Sequence, residues 1–322
     1  MAHIEKKDVD PALRIYGQLA RHLPNPYLSP TALRWKLFRE RFDRGRFPKD
    51  LNVEQTFIPR PDGSPLRLVV VRPQTPKPLA TGVLWLHGGG YLVGLPKSDF
   101  SFMRDILAAT NAVIVAPDYR RSSTAPFPAA LNDAYLALQW LHGSAAALGV
   151  NPNQLFVGGE SAGGGLAAAL SLYARDQHEI PIAFQTPLYP MLDDRPTASS
   201  RDNDAPIWDT VNNQAAWQKY LGDLYGTADI SPYAAPARAT SFAGLPPTYS
   251  YVGSIEPFYA ETLTYIKNLR DAGGIARADV YPGAFHGFDL VAPNSQIAKL
   301  ARTNFRNALR YAADHYFTDD QS

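Results

Sequence analysis

The sequence predicts the α/β fold class: a mostly parallel, eight-stranded sheet flanked by helices and topped by a helical cap. Three observations carry this reading. Short apolar runs alternate with longer helical patterns along most of the chain. The 322 residues, 45% of them hydrophobic, are enough to bury a large core in one domain. Two stretches, 1–50 and 194–240, break the alternation and stand outside the rhythm of the sheet.

Residues 1–50 read as helical and amphipathic, with Leu33, Leu37 and Phe38 on one face. Strands at 53–58 and 66–71 flank Pro61-Asp62-Gly63-Ser64, a turn sequence that makes this pair an antiparallel hairpin. Six further strands follow at 83–87, 112–116, 155–158, 183–189, 248–252 and 277–281. The helical patterns between and after them fall at 97–110, 129–148, 162–176, 257–272 and 296–316. Eight strands with these crossovers suit one doubly wound sheet. Segment 194–240 holds Trp208, Trp217, Tyr220, Leu221 and several prolines. With 1–50 it is assigned to a cap over the C-terminal edge of the sheet, where open α/β folds bind ligands. The organisation is then an N-terminal cap segment (1–50), a catalytic domain (51–193 and 241–322) and an inserted cap segment (194–240).

Composition narrows the function. Lys plus Arg total 31 and Asp plus Glu 30, so no charge excess points to nucleic acid. The absence of cysteine excludes a disulfide scaffold, a thiolate zinc site and a cysteine nucleophile. Residues 1–10 are polar and charged, unlike the core of a signal peptide, and no apolar run reaches the ~18 residues of a membrane span. A soluble, cytoplasmic chain without stable membrane insertion is expected, and a homodimer is left open.

The chemistry concentrates in two glycine-rich breaks. Gly159-Glu160-Ser161-Ala162-Gly163 is a G-x-S-x-G pentapeptide between an apolar β-type run and a small-residue helix. A nucleophilic hydroxyl has to stand at the tip of a sharp strand-to-helix turn, and glycines two residues either side let the chain fold back without a Cβ clash. The pattern alone arises in roughly one chain in ten, so its context and its companion motif decide. The companion is His87-Gly88-Gly89-Gly90, where the strand at 83–87 breaks into three glycines. Bare backbone amides there can approach a developing oxyanion, and the amides of Gly88, Gly89 and Ala162 are assigned to it. Ala162 opens the following helix, whose N-terminal field favours negative charge. His87 is read as a residue that orders this loop.

A serine hydroxyl needs a base, and histidine suits the task because its unperturbed pKa is near 6.5. Of the seven histidines, His286 in Phe285-His286-Gly287 lies just past the last predicted strand, where the Ser–acid–His chain order puts the base. The acid belongs after the strand at 248–252. Glu256 comes straight off that strand before Pro257, and Glu261 is the alternative one turn into the helix. The H-E-x-x-H and H-x-x-E-H spacings of metal-dependent hydrolases do not occur.

Together these residues resemble the hormone-sensitive-lipase-like family of α/β-hydrolases, in its bacterial esterase branch. The resemblance covers about residues 65–290. It rests on His87-Gly-Gly-Gly90, Asp118-Tyr-Arg120, Pro126-Phe-Pro-Ala129, Gly159-Glu-Ser-Ala-Gly-Gly164, Tyr189-Pro-Met-Leu-Asp-Asp194 and His286-Gly-Phe288. It implies the α/β-hydrolase fold, esterase activity on short to medium acyl chains, no cofactor or metal, a small-molecule ester as partner, and a cap from N-terminal and inserted helices. The chain departs from the family at Glu256-Pro257-Phe258, where Asp-Pro-Leu is usual, and at Arg121-Ser122-Ser123-Thr124, where Leu-Ala-Pro-Glu is usual. Asp118 and Arg120 are read as a structural ion pair or turn brace. Tyr91, Phe38, Trp208, Trp217 and Leu221 are the candidates to line the substrate pocket. A ligand-binding protein with reduced chemistry, an acyltransferase and a dehydratase are the competing functions on the same fold.

Overall fold

The structure, a computed structural model, describes residues 3–22 and 24–318. Strands β1 (Asn52–Pro59) and β2 (Pro65–Arg72) pair antiparallel across the expected turn. The Arg60 amide closes that turn on the Ser64 carbonyl at 2.8 Å. The remaining strands are β3 (Ala80–Leu86), β4 (Val113–Pro117), β5 (Val150–Glu160), β6 (Phe184–Leu188), β7 (Thr248–Gly253) and β8 (Ala276–Tyr281). They form one sheet in the order β1-β2-β4-β3-β5-β6-β7-β8. β2 joins β4 antiparallel, and every pairing from β4 through β3 to β8 is parallel.

The helices are α1 (Arg14–Ala20), α2 (Pro30–Asp43), α3 (Phe100–Thr110), α4 (Ala129–Gly143), α5 (Ala145–Leu148), α6 (Ala162–Gln177), α7 (Thr210–Leu221), α8 (Tyr259–Asp271), α9 (Phe288–Val291) and α10 (Gln296–His315). Side chains alternate across a strand, so the central strands serve both faces of the sheet. Leu84 and Leu86 of β3, with Val113 and Val115 of β4, pack with α4 and α6. Val83 and Trp85, with Ile114, pack with Phe102 and Met103 of α3 and Phe305 and Leu309 of α10. The continuous apolar runs Val83–Leu86, Val113–Ala116 and Leu155–Val157 follow from this burial on both sides. Full burial of one such side chain, Phe305 for example, contributes about 2–3 kcal/mol.

Two helices differ from the sequence reading. The span 129–148 is not one helix: it breaks at Ser144, directly after Gly143, the weakest helix former in the stretch. The span 97–110 begins with a 3₁₀ turn, Pro96–Asp99, whose Asp99 carboxylate accepts the Trp85 indole N–H at 2.8 Å.

The N-terminal segment also departs from expectation. Ser29 caps α2 by accepting the Ala32 amide at 3.3 Å, with Pro30 at the first helical position. Leu33 and Leu37 are half-buried, but Phe38 is exposed. One residue advances about 100° around a helix, so Phe38 cannot share the face of Leu37. The residue α2 buries is Glu40, which accepts the Gly94 amide at 3.0 Å and pairs with Arg121 at 2.5 Å. The departure from the family pattern at Arg121 therefore has a partner in α2. Further along, Asn25 bonds Asn212 of α7 at 2.6 Å, and Tyr27 meets Trp208 edge to face at 4.8 Å.

Candidate active site

The loops that carry the candidate residues all leave C-terminal ends of parallel strands: 88–90 after β3, Ser161 after β5, Glu256 after β7 and His286 after β8. Strand polarity alone thus gathers four segments at one edge of the sheet.

At the end of β5 the chain turns into α6 through Ser161, held at φ 59° and ψ −122°. Such a conformation stores about 1–3 kcal/mol of strain and needs surroundings that hold it. Here the Ser161 amide donates to the Leu188 carbonyl at 3.0 Å, and the Met191 amide donates to the Ser161 carbonyl at 3.1 Å. The flanking glycines are required by contact. A Cβ on Gly163 would lie 2.0 Å from the Leu86 carbonyl oxygen, and one on Gly159 would lie 2.4 Å from the same atom.

Ser161 Oγ lies 2.8 Å from His286 Nε2, and His286 Nδ1 lies 2.5 Å from Glu256 Oε2. All three residues are buried. The second Glu256 oxygen accepts the Gly253 amide at 2.7 Å, which fixes the carboxylate plane. Burial pushes the Glu256 carboxyl above the usual range, and the neighbouring His286 opposes that push. Three aromatic rings wall the imidazole: Tyr189 and Phe258 edge-on at 5.0 Å, and Trp208 at 6.0 Å. Glu261 stands elsewhere, accepting the Leu192 and Asp193 amides at 2.7 and 3.3 Å.

The loop after β3 is braced from below. His87 stacks on Tyr119 at 4.1 Å, Nδ1 lies 2.8 Å from the Gly88 carbonyl oxygen, and burial lowers its pKa to about 4. It is a neutral ring in the wall of the loop. The Gly88 backbone lies beside the carboxyl group of Glu160 and favours its charged form. That carboxyl fills the space beside Gly88, where a Cβ would lie 1.8 Å from Oε1. Burial, reinforced by Asp99 and Asp289, raises Glu160 well above the ordinary carboxyl range. The amides of Gly89 and Gly90 have no acceptor among the described residues, and Ala162 opens α6, where no intrahelical acceptor exists for its amide.

The pocket candidates divide. Trp208 stands beside His286 and, with Tyr27, against Gly90. Tyr91 stacks on Tyr220 at 3.7 Å, and Trp217 and Leu221 are buried in the same apolar cluster. Phe38 is on the outer surface, stacked on Trp35 at 5.9 Å and away from these groups. Asp118 and Arg120 do not pair with each other. Asp118 takes Arg67 and Arg44, both at 3.1 Å, and Arg120 takes Asp133 at 2.9 Å. Sequence reasoning missed Tyr27, Phe258 and Asp289. Buried Asp289 accepts the hydroxyls of Tyr189 and Tyr251 at 3.1 and 2.7 Å, three residues beyond His286. That short distance along the chain was the available signal.

Comparison with known proteins agrees with this architecture. A family model described as alpha/beta hydrolase fold matches residues 83–290, more than half the chain. Esterase LipI of Mycobacterium tuberculosis is 35% identical over 193 residues, covering 59% of this chain and 60% of LipI. Carboxylesterase NlhH of the same organism is 31% identical over 218 residues, covering 66% of this chain and 68% of NlhH. Among solved structures, a bacterial heroin esterase superposes with a TM-score of 0.86 at 31% identity, over 95% of this chain and 98% of its own. Esterase LipW from Mycobacterium marinum gives 0.84 at 30% identity, over 95% and 96%. The chain belongs to the α/β-hydrolase family, in the hormone-sensitive-lipase-like branch, which it shares with these bacterial esterases.

Proposed function

We propose that the chain is a carboxylic-ester hydrolase acting on short to medium acyl esters through an acyl-enzyme. The observation that carries this is the unbroken chain from Ser161 Oγ through His286 to Glu256, at 2.8 and 2.5 Å. Ser161 attacks the ester carbonyl carbon while His286 Nε2 takes the hydroxyl proton. Glu256 keeps the imidazole proton on Nδ1 and stabilises the imidazolium without itself being protonated. The tetrahedral oxyanion is received by the amides of Gly89, Gly90 and Ala162. Each such donor contributes about 3–4 kcal/mol where one has been removed in other enzymes. The helix field of α6 adds to Ala162. His286 then protonates the departing alcohol, and the acyl group stays on Ser161. A water activated by the same histidine releases the acid.

Trp208, next to His286, and Tyr27, which shares with it the space beside Gly90, form the wall that meets the ester. The test is a panel of p-nitrophenyl esters of increasing acyl length, run on the parent and on Ser161→Ala. Turnover that falls with long chains and vanishes in the variant is the expected result. Undiminished hydrolysis by Ser161→Ala would overturn the reading. Adding an alcohol acceptor separates hydrolysis from acyl transfer, and multiple turnover separates either from a binding protein.

A further inference from the structure

Helix α2 presents an unusual outer face. Trp35, Phe38 and Phe42 are 62%, 53% and 60% exposed, far more than large aromatic residues normally are. They are not scattered. Trp35 stacks with Phe38 at 5.9 Å and Phe38 meets Phe42 at 4.8 Å, so the three form one continuous ridge. Steps of three, four and seven residues place them on one side of the helix. The opposite side is committed inward through half-buried Leu33 and Leu37 and buried Glu40.

The charge around this ridge has one sign. Residues 34–49 hold Arg34, Lys36, Arg39, Arg41, Arg44, Arg46 and Lys49 against two acids, Glu40 and Asp43, in a chain whose net charge is +1. Both acids are paired: Glu40 with Arg121, the Gly94 amide and, at 3.7 Å, Lys36, and Asp43 with Lys97 and, at 3.9 Å, Arg46. Arg34, Arg39 and Arg41 are exposed and form no salt bridge among the described residues. By helical angle, Arg34 and Arg41 flank the aromatic ridge on one side and Arg39 on the other. An aromatic ridge between rows of arginine matches a surface that is apolar within and anionic at its edge.

We propose that α2 is an interfacial helix that seats the protein on an anionic lipid surface, with Trp35, Phe38 and Phe42 entering the headgroup boundary and the flanking arginines meeting lipid phosphates. Charge complementarity selects this occupant. An exposed ridge of Trp and Phe edged by arginines can lie in the plane of such a surface without crossing it. No helix among the described residues is long and apolar enough to span a membrane, in keeping with adsorption alone. The inner side of α2 is bonded through Glu40 to Gly94 and Arg121, at the end of the loop that begins with Gly88. The seat and the candidate active site are therefore one mechanical unit. The proposal concerns binding and stands whether or not the esterase reading holds.

The experiment is co-sedimentation of the full chain with phosphatidylcholine vesicles, with and without phosphatidylglycerol. Association with the anionic vesicles, weak or absent on phosphatidylcholine alone and released by salt, is expected. Arg34→Glu/Arg39→Glu/Arg41→Glu should weaken it about a hundredfold. Trp35→Ser/Phe42→Ser should weaken it about tenfold. Both variants change exposed residues, so each should retain the parent's circular dichroism spectrum and melting temperature, which shows that lost binding is not lost folding. Equal partitioning onto both vesicle types, insensitivity to salt, or no association at all would overturn the proposal. So would a parent dimer in light scattering that Trp35→Ser/Phe42→Ser converts to monomer, which would give the ridge to a second copy of the chain.

Discussion

Glu256→Gln is the most informative single change. In the parent, one carboxylate oxygen accepts the Gly253 amide at 2.7 Å and the other accepts His286 Nδ1–H at 2.5 Å. A glutamine has one acceptor oxygen. Either way round, its NH₂ group faces an N–H donor in a fully buried site. If the Gly253 bond is kept, the amide favours the imidazole tautomer with its proton on Nε2, which cannot accept the Ser161 proton. Losing a buried, charge-assisted hydrogen bond to the developing imidazolium removes about 3 kcal/mol. The wrong tautomer or the opposed donors add about 1–3 kcal/mol. The sum, about 4–6 kcal/mol, is a fall of about 10³–10⁴ in kcat/KM. The assay is hydrolysis of p-nitrophenyl butyrate, with thermal unfolding to show that the variant is folded. Glu261→Gln is the control, because its carboxyl holds Leu192 and Asp193 and never meets His286. A Glu256→Gln enzyme within tenfold of the parent, or a Glu261→Gln enzyme equally impaired, would refute the assignment.

Three further outcomes follow from the packing and the buried charges. Burial raises the Asp99 pKa to about 7, partly offset by the Trp85 hydrogen bond, so the folded state holds a proton that the unfolded chain, with an ordinary carboxyl, gives up. Its contribution to stability is present below about pH 4 and is lost as pH rises towards about 7, so Asp99→Asn should raise Tm at pH 8 more than at pH 5; an equal shift at both pH values would contradict this. Gly163→Ala would drive a Cβ to 2.0 Å from the Leu86 carbonyl and should destabilise by about 3 kcal/mol or more, whereas Gly143→Ala, with no atom within 4 Å, should be neutral or gain up to about 1 kcal/mol in a denaturant titration. Arg121→Ala leaves Glu40 only the longer contact to Lys36 at 3.7 Å and the Gly94 amide, and should lose about 1–3 kcal/mol, while Glu40→Gln/Arg121→Met should recover much of that, which a double-mutant cycle measures.

The positions of the eight strands and the placement of Ser161, Glu256 and His286 after them were readable because each rests on local pattern. Apolar runs mark strands, and each candidate follows one by a few residues. Glu256 could be preferred over Glu261 on distance from β7 alone, since Glu261 lies a turn into α8 and faces the other way. The errors arose where a contact crosses the chain. Gly88 looks like Gly89 in sequence, and only the fold sets the Glu160 carboxyl, 72 positions later, against it. Phe38 was placed beside Leu37 because a large apolar residue in an amphipathic helix is ordinarily turned inward, and in α2 the inward position went to Glu40. Its reason, Arg121, is 81 positions away. Asp118 and Arg120 were close enough in sequence to suggest a pair, but β2 and α4 supply their partners instead.

The four segments that meet at Ser161 are drawn from β3, β5, β7 and β8, spread between residues 86 and 288. A ribosome delivers Ser161 and, only 125 residues later, His286, so the serine of a nascent chain has no such imidazole to pair with until that stretch is made. A cut between β5 and β8 would put Ser161 and His286 on separate fragments. The wide spacing thus makes the Ser161–His286 contact one of the last that a growing chain can form.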